Sequence, residues 1–402
     1  MNKKFPNIRH LRAFYEVAHC KSVSKASRRV YLSQPAITQA IAKLEDMLKL
    51  SLFDRRPEGM FTTKPGLLFL DRVDRLLKHL RDGTAEAIRI ASQKKSISRS
   101  YLDRQLTTVQ LRALVAVSKA GNFSLAARTI GTTQPSLHRA ARALEKLLGI
   151  PLFIKNKEGI ELTKAALSLV KHAKLAFSEL EQGFTEIDAW HGRDSGIIIV
   201  GGMPLARASL LPKTINEFSK LYPNVQIRVI DGPYADLLHG LRHGEIDCLI
   251  GALRYPLPID DIVQEPLFED MLSIVVRAGH PLIQIKDPTL DDLALYDWVV
   301  PREGTPTRDC FNRMFQCKNS PKPIRLIETS SFILIRNLLH KNDRIALLSK
   351  QQIQLEEQLG ILTSLSFDMP ETKRPIGLTL RQGWKPTASQ QKFMEILRET
   401  EE

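Results

Sequence analysis

The chain repeats itself at an offset of one hundred residues. Residues 11–67 align with residues 111–167 without a gap, and 20 of the 57 paired positions are identical. A repeat of this length is too long for a solenoid unit and has about the size of a small domain. We therefore expect the 402-residue chain to carry two copies of one small domain, followed by a different region.

The net charge of +14 is confined to the repeated part of the chain. Residues 1–95 carry +11 and residues 96–194 carry +5, whereas residues 195–402 carry −2. A basic part joined to a nearly neutral part predicts that only the repeats bind a polyanion such as nucleic acid. A generally basic surface is the alternative, but it would not stop where the repeats stop.

Several classes of protein lack support in the sequence. No apolar run approaches the ~18 residues of a membrane span, and no apolar core follows the first lysines, so we expect a cytoplasmic protein without a membrane partner. The four cysteines form no CxxC pair, which argues against zinc. No GxSxG, HExxH, P-loop or dinucleotide motif is present. We predict no catalytic residue, no metal site and no cofactor.

The first copy has the pattern of three helices and a hairpin. Apolar residues at helical spacing predict a helix over residues 8–20, and Ser24 begins a shorter second helix. Ser33 is a natural N-cap for a third helix, in which Pro35 is tolerated because it lies in the first turn. Glu58-Gly59 predicts a tight hairpin, or wing.

This arrangement predicts a winged helix-turn-helix, in which the start of the last helix reaches base edges and wing arginines contact phosphate. A plain helical bundle is the alternative, but the basic charge, the wing and the duplication favour DNA. In the first copy the predicted DNA-binding residues are Ser33, Gln34, Pro35, Ala36, Thr38, Gln39, Arg55 and Arg56. In the second copy they are Thr133, Gln134, Pro135, Ser136, His138, Arg139, Arg142 and Lys155.

Ordered motifs make the resemblance to a known family specific. The first copy supplies SVSKAS, SQPAI, KLE, LFDR and TTKPG in sequence, and the second supplies NFSLAA, TQPSL, ALE, LFIK and LTKA. Each copy resembles the winged helix-turn-helix of LysR-type transcriptional regulators. The resemblance implies sequence-specific DNA binding, and a sequence-independent architectural DNA-binding protein is the alternative.

The two copies differ at positions expected to read DNA. Thr38 and Gln39 correspond to His138 and Arg139 in the second copy. Gln and Arg pair with adenine and guanine edges respectively, so our hypothesis is that the copies read different half-sites. The rival is that one copy retains only a dimerisation role. Lys49 replaces a capping glycine and should cost up to about 1 kcal/mol if the backbone stays left-handed.

A long helix with a narrow apolar stripe is predicted after each wing. In the family that the copies resemble, this linker helix pairs antiparallel with the linker helix of another subunit. A chain with two such helices could pair them internally or cross-pair them in a dimer, and the sequence leaves both open. Lys94–Arg104 is the polar connector between the copies.

Strands and helices alternate from Gly196 onward, which predicts a parallel sheet with helices on both faces. Three segments are similar to the LysR effector domain: LLPKTINEFSKLYPNVQIRVIDG, LHGLRHGEIDCLIGAL and GHPL. That resemblance implies two α/β lobes like those of periplasmic binding proteins.

Ligands of such folds bind at strand carboxyl ends and helix N-termini between the lobes. The residues that map to this cleft suit a carboxylate or a sugar, although each could simply cap a helix. They are Met203, Leu205, Arg207, Thr305, Thr307, Arg308, Thr329 and Ser330. Cys310 and Cys317 raise a cysteine-based redox alternative, but seven residues along a helix span about 10 Å, more than a disulfide bridges.

We therefore predict a multidomain LysR-type regulator modulated by a small-molecule effector. Two all-α winged helix-turn-helix domains with linker helices precede an α/β effector domain. Expected partners are double-stranded operator DNA, the effector, further copies of the chain, and RNA polymerase if the protein is an activator. The expected boundaries are 6–64 and 106–164 for the winged helices, 65–95 and 165–192 for the linkers, and 195–402 for the effector domain.

Overall fold

The computed structural model describes residues 5–92, 101–157, 159–316, 323, 325–369 and 372–400. Most of the predicted connector and Cys317 lie outside these residues. The chain divides into a first compact unit, residues 1–196 with 242–245, and a second unit, residues 197–241 with 246–402. Across the described ranges, we find no helix with the length and apolar character needed to span a membrane.

The first copy folds into three helices and a two-stranded wing, followed by a long helix. Its elements are α1 (Ile8–Cys20), α2 (Val23–Val30), α3 (Gln34–Leu48), β1 (Phe53–Arg56), β2 (Gly59–Thr62) and α4 (Lys64–Ser92). The α2 start predicted at Ser24 is one residue late, because Ser22 is the cap and accepts the N–H of Lys25. The wing strands pair antiparallel around the predicted turn.

The second copy repeats this order after a short 3₁₀ turn, residues 102–105. Its elements are α5 (Thr108–Ala120), α6 (Phe123–Thr129), α7 (Gln134–Leu148), β3 (Phe153–Asn156), β4 (Gly159–Leu162) and α8 (Lys164–Trp190). In both copies one glutamate ties the third helix to the wing. Glu45 Oε1 accepts the backbone N–H of Leu52 at 2.8 Å, and Glu145 Oε1 accepts that of Leu152 at the same distance.

Three turns of the first copy hold side chains in the left-handed backbone region. They follow the ends of α1, α2 and α3, and each corresponds to a glycine of the second copy. The positive φ angles are 51° at Lys21, 55° at Tyr31 and 56° at Lys49, against 67° at Gly121, 66° at Gly131 and 66° at Gly149. The left-handed backbone of these turns is therefore retained although the glycine is replaced. The condition on which the predicted cost at Lys49 depends, a left-handed backbone, is met.

The two linker helices, α4 and α8, pack against each other within the chain, and their contacts run antiparallel. The rings of Phe69 and Phe184 stack with centroids 6.2 Å apart. Gly83 lies so close to α8 that an added Cβ would be 2.4 Å from the Cβ of His172. Of the two pairings that the sequence leaves open, this structure has the internal one.

The second unit holds two five-stranded sheets, which form the two lobes predicted. Its helices are α9 (Pro204–Ala208), α10 (Leu210–Leu221), α11 (Tyr234–Arg242), α12 (Leu290–Ala294), α13 (Pro306–Met314), α14 (Phe332–His340), α15 (Gln354–Gln358) and α16 (Ala388–Glu399). Its strands are β5 (Gly196–Gly202), β6 (Val225–Ile230), β7 (Cys248–Ala252), β8 (Ile262–Asp270), β9 (Leu272–Arg277), β10 (Asp297–Val300), β11 (Leu326–Glu328), β12 (Arg344–Ser349), β13 (Leu362–Ser364) and β14 (Arg374–Arg381).

The sheets are mixed, so the predicted all-parallel arrangement is wrong in part. The strand orders are β6-β5-β7-β14-β8 and β11-β10-β12-β9-β13. Strands that follow one another through helices within a lobe are parallel where they pair, such as β10 with β11, β10 with β12 and β5 with β7. In contrast, β14 is antiparallel to β7 and β9 is antiparallel to β12, because in each sheet a strand arrives from the other lobe. The alternation of strands and helices along the sequence does not reveal that β9 and β14 cross from one lobe to the other.

Candidate DNA-binding interface and effector cleft

The first turn of α3 presents polar side chains at the surface. Ser33 caps the helix, and its Oγ accepts the N–H of Ala36 at 3.4 Å. Pro35 fits there because the first-turn N–H groups have no partner within the helix. Thr38 donates its hydroxyl to the carbonyl of Gln34 at 3.1 Å. A shallow depression at this turn is lined by Val23, Gln34, Pro35, Thr38, Gln39 and Ala42.

The corresponding turn of α7 carries a different set of donors. Thr133 caps the helix and donates its hydroxyl to that of Ser136 at 2.9 Å. Arg139 donates to the same Ser136 hydroxyl at 3.4 Å, which holds the guanidinium along the exposed face. Gln134 and Pro135 are exposed beside them. The ring of His138 lies edge-on to Phe123, with centroids 5.0 Å apart.

Arg142 is already paired with a carboxylate. Its Nη1 lies 2.5 Å from Oε2 of Glu145, the residue whose other oxygen holds the start of the wing strand. The first copy has Ala42 at the equivalent position. To contact DNA, Arg142 would have to exchange this partner for a phosphate or a base.

The wing of the first copy carries exposed positive charge. Arg55 and Arg56 lie on the exposed part of β1, and the Arg56 guanidinium is 5.1 Å from the centre of the Phe61 ring. The ion pair of Arg56 with Asp54 is long, 3.6 Å, and exposed, so it offsets little of the charge. Lys155 is the exposed equivalent on β3. Both wings can therefore offer cations to a phosphate backbone.

Contacts within the first unit relate the two copies by a pseudo-twofold axis. Arg72 of α4 pairs with Glu186 of α8, and the equivalent residues of the other helix, His172 and Glu86, also pair. Near the axis, a residue meets its own repeat: the N–H of Ile8 donates to the hydroxyl of Thr108 at 3.3 Å. The helices α3 and α7 are thus presented by one pseudo-symmetric unit.

Three predicted effector residues lie in the short helix α9 or at its N-cap. The backbone N–H of Met203 donates to the carbonyl of Ile250, and its side chain fills the space beside Gly251. Leu205 is buried at 4% exposure, so it packs in the lobe. Arg207 is paired with Asp231 at 3.0 Å, both partly exposed.

The other predicted effector residues lie at the starts of α13 and α14. Thr305 caps α13 and accepts the N–H of Arg308. The Arg308 side chain is nearly buried and pairs with Glu303 at 2.7 Å and Glu328 at 3.3 Å. At α14, Thr329 accepts the N–H of Ser331, the capping residue. The neighbouring Ser330 is exposed. Of these residues, Thr305 has the helix-capping role that was considered as the alternative.

Sequence inspection missed a polar network that joins the two lobes. Asp270, at the end of β8, accepts from the hydroxyl of Ser349 and from two guanidinium nitrogens of Arg374 at 3.0 and 2.9 Å. Arg374 also donates to the predicted effector residue Thr307 at 2.8 Å. Asp270 and Ser349 are almost fully buried. Their separations along the chain give no local pattern from which the network could be recognised.

The thiols offer little for redox chemistry among the residues described. Cys310 is half-buried, and its sulfur accepts from Arg313. Cys248 is fully buried, and burial raises the pKa of its thiol far above the usual range, which keeps it protonated. No group of three or more His, Cys, Asp or Glu side chains in the described ranges could hold a metal ion.

Comparisons with known proteins agree along the whole chain. A family model described as the LysR substrate binding domain matches residues 191–402. A model described as the bacterial regulatory helix-turn-helix protein of the lysR family matches twice, at residues 8–67 and 108–167. The transcriptional regulator GalR of Pseudomonas putida is 31% identical over 396 residues, which cover 98% of each chain.

Other relatives are shorter, and nearly their whole length matches only part of this chain. The regulator PcaQ of Agrobacterium fabrum is 26% identical over 299 residues, which cover 74% of this chain but 96% of PcaQ. These named relatives are transcriptional regulators rather than enzymes.

Solved structures support the same fold. ArgP of Mycobacterium tuberculosis has a TM-score of 0.58 at 16% identity and covers 74% of this chain and 98% of its own. A full-length OxyR variant of Pseudomonas aeruginosa has a TM-score of 0.55 at 21% identity and covers 74% and 94%. CbnR complexed with its target DNA has a TM-score of 0.51 at 22% identity and covers 72% and 98%. The chain belongs to the LysR family of DNA-binding transcriptional regulators, whose effector domain lets a small molecule modulate them.

Proposed function

We propose that one chain supplies both DNA readers of an operator, with α3 on one half-site and α7 on the other. The observation that carries this proposal is the internal pairing of α4 with α8, which unites the two winged helices in one compact unit. In the family, two subunits contribute these linker helices. The duplicated chain would do with one subunit what otherwise takes two.

The two half-sites should differ in sequence. The first reader offers Gln34 and Gln39, amides that suit adenine, together with the short side chain of Thr38. The second reader offers Gln134 and Arg139, and Arg suits guanine. An operator read in this way is not a perfect inverted repeat. The wing cations, Arg55 above all, would hold phosphates without selecting sequence.

Selection from random DNA followed by footprinting tests this proposal, using two matched variants, Gln34→Ala/Gln39→Ala and Gln134→Ala/Arg139→Ala. Each should relax the preference in its own half-site only, by about 1–3 kcal/mol per lost bidentate contact. Arg55→Ala is the control, because it should weaken binding to all sequences alike.

Three outcomes would contradict the proposal in different ways. A perfect inverted repeat from the wild-type protein would show that the two readers are equivalent. If the second double variant leaves the preference unchanged, that copy serves only in pairing. Equal affinity for selected and random DNA would identify an architectural DNA-binding protein.

For the second unit, we propose an effector of the carboxylate or sugar class in the cleft between the lobes. Support comes from Thr307, which contacts the lobe-joining Arg374, and from the exposed Ser330 beside the α14 cap. The carboxylate partners of Arg207 and Arg308 mean that an acidic effector would have to displace one of them. A thermal-shift screen of the two ligand classes, repeated on Thr307→Val and Ser330→Ala, would separate cleft binders from others.

The proposal extends to the domain boundaries, the compartment and the oligomeric state of the protein. We propose the boundaries 6–64 and 106–164 for the winged helices, 65–95 and 165–192 for the linkers, and 195–402 for the effector domain. As a DNA-binding regulator the protein would act in the cytoplasm, as a homo-oligomer, with RNA polymerase as a partner if it activates transcription. Native mass spectrometry with operator DNA would count the chains at each site.

A further inference from the structure

A cavity of about 370 Å³ lies in the first unit and includes none of the residues predicted to contact DNA. It is formed by α1, the end of α2, the middle of α4 and the 3₁₀ turn that follows the connector. Five arginines line it: Arg9, Arg12, Arg29, Arg81 and Arg104. A concentration of guanidinium groups around one cavity requires a source of negative charge.

Three carboxylates of the cavity wall, Glu16, Asp74 and Asp103, offset only part of the charge of the five arginines. Asp103 pairs with Arg12 at 2.9 Å, and Glu16 pairs with Arg29 at 3.3 Å. Asp74 lies beside Tyr15, and burial together with this carboxylate raises the pKa of the Tyr15 hydroxyl.

Within the described part of the chain, Arg9, Arg81 and Arg104 form no ion pair with a carboxylate of the cavity. The ion pair of Arg81 is with its neighbour Asp82, at a long 3.9 Å. Arg104 lies over the Tyr101 ring, 5.0 Å from its centre. Burial lowers the pKa of Arg12, with smaller contributions from the charges of Arg104 and Arg81, while its partner Asp103 opposes this shift.

The second copy lacks this cation cluster. At the positions equivalent to Arg9, Arg29 and Arg81 it has Val109, Thr129 and Glu181. The cluster is therefore not a requirement of the winged-helix fold. It also depends on the turn after the connector, which contributes Asp103 and Arg104.

We propose that this cavity binds a phosphate-type oxyanion. The planar guanidinium donates two parallel N–H groups to phosphate oxygens, and five arginines against three carboxylates leave an excess of two positive charges on the cavity wall, which matches a phosphate group. The cavity volume admits a small phosphate ester as well as the free ion. The group could belong to a small molecule or to the backbone of bound DNA.

An oxyanion in this cavity would lie next to the start of the first DNA-reading helix. Tyr31 and Leu32, which line it, form the turn directly before Ser33, the cap of the first DNA-reading helix. The connector turn on the opposite side leads to the second copy. An oxyanion held between them would fix the first reader relative to the link between the two copies.

Calorimetric titration of the full-length protein with inorganic phosphate and pyrophosphate, at constant ionic strength, tests the proposal. The variants are Arg9→Val and Arg81→Glu, which install the residues of the second copy at exposed positions. The control is Lys78→Glu, because it makes the same change of charge on the exposed face of α4 outside the cavity. The Arg81 variant should lose at least about tenfold in pyrophosphate affinity, and the control less than about twofold.

The source of the phosphate follows from the same variants in a DNA titration. If pyrophosphate competes with DNA and Arg81→Glu weakens DNA binding while Lys78→Glu does not, the oxyanion is a backbone phosphate. If pyrophosphate binds without competing, it is a separate ligand. The proposal is overturned if the wild-type protein shows no saturable binding of either anion and the Arg81 and Lys78 variants bind DNA equally. Equal losses of pyrophosphate affinity in these two variants would also overturn it.

Discussion

The guanidinium of Arg72 lies 2.6 Å from the carboxylate of Glu186, fully buried between the two linker helices. Its other nitrogen contacts Glu179 at 3.0 Å and Gln182 at 2.6 Å. Burial alone would disfavour this charge, but hydrogen bonds and the charges of Glu186 and Glu179 raise the pKa of Arg72. The equivalent residue of α8 is His172, so this network exists on one side of the pseudo-twofold axis only.

Arg72→Met should destabilise the helix pair by about 3 kcal/mol, because it removes the buried cation that faces Glu186 and leaves the buried Glu179 with Arg75 alone. Hydrogen exchange of α4 and α8 amides measures this directly, and protection should fall about a hundredfold. Lys78→Met is the control, since Lys78 is exposed on the same helix. Unchanged protection in the Arg72 variant would mean that the network contributes nothing to pairing.

The two glycines of the linker helices give a matched pair of variants. An added Cβ at Gly83 would lie 2.4 Å from the Cβ of His172, whereas one at Gly183 would lie 3.2 Å from that of Arg72. Alanine is favoured over glycine in a helix by about 1 kcal/mol. At Gly183 this gain should offset the tight contact with Arg72, so Gly183→Ala should be nearly neutral. Gly83→Ala should instead destabilise by about 1–3 kcal/mol, because the helices must separate. Chemical denaturation that ranks the two variants the other way would contradict the close approach.

Local pattern predicts the elements of the repeats but not the relationship between the copies. Helical spacing and the Ser33 cap anticipate α3, and the ordered motifs anticipate the wing. The pairing of α4 with α8 depends on contacts such as Arg72 with Glu186, 114 residues apart, which neither helix reveals alone. The same limit applies to the Asp270 network and to the antiparallel strands β9 and β14, since a long-range pairing leaves no periodic trace in the sequence.

The left-handed cap of α3 makes Lys49 a site for stabilisation. Its φ of 56° is natural for glycine and unfavourable for lysine, and its exposed ion pair with Asp46 contributes little. Lys49→Gly should therefore raise the stability of the first winged helix, by up to about 1 kcal/mol. The reverse change, Gly149→Lys, should lower that of the second by a similar amount. If thermal unfolding shows no opposite response of the two variants, backbone strain at Lys49 is not a factor.

Glu86 should make the helix pair sensitive to acid. Although burial opposes its charge, the neighbouring Ser168 and the contact with His172 at 3.2 Å lower its pKa below the usual value. A carboxyl with a lowered pKa in the folded state adds stability above its unfolded pKa of about 4.3, and this stability is lost as the pH falls through the lower folded value. Glu86→Gln should thus be less stable than the wild type at about pH 5.5, by less than about 1 kcal/mol because Glu86 is partly exposed. The two proteins should converge in denaturant midpoint as the pH is taken below about 4. A difference that persists unchanged in acid would assign the effect to the shape of the side chain rather than to its charge.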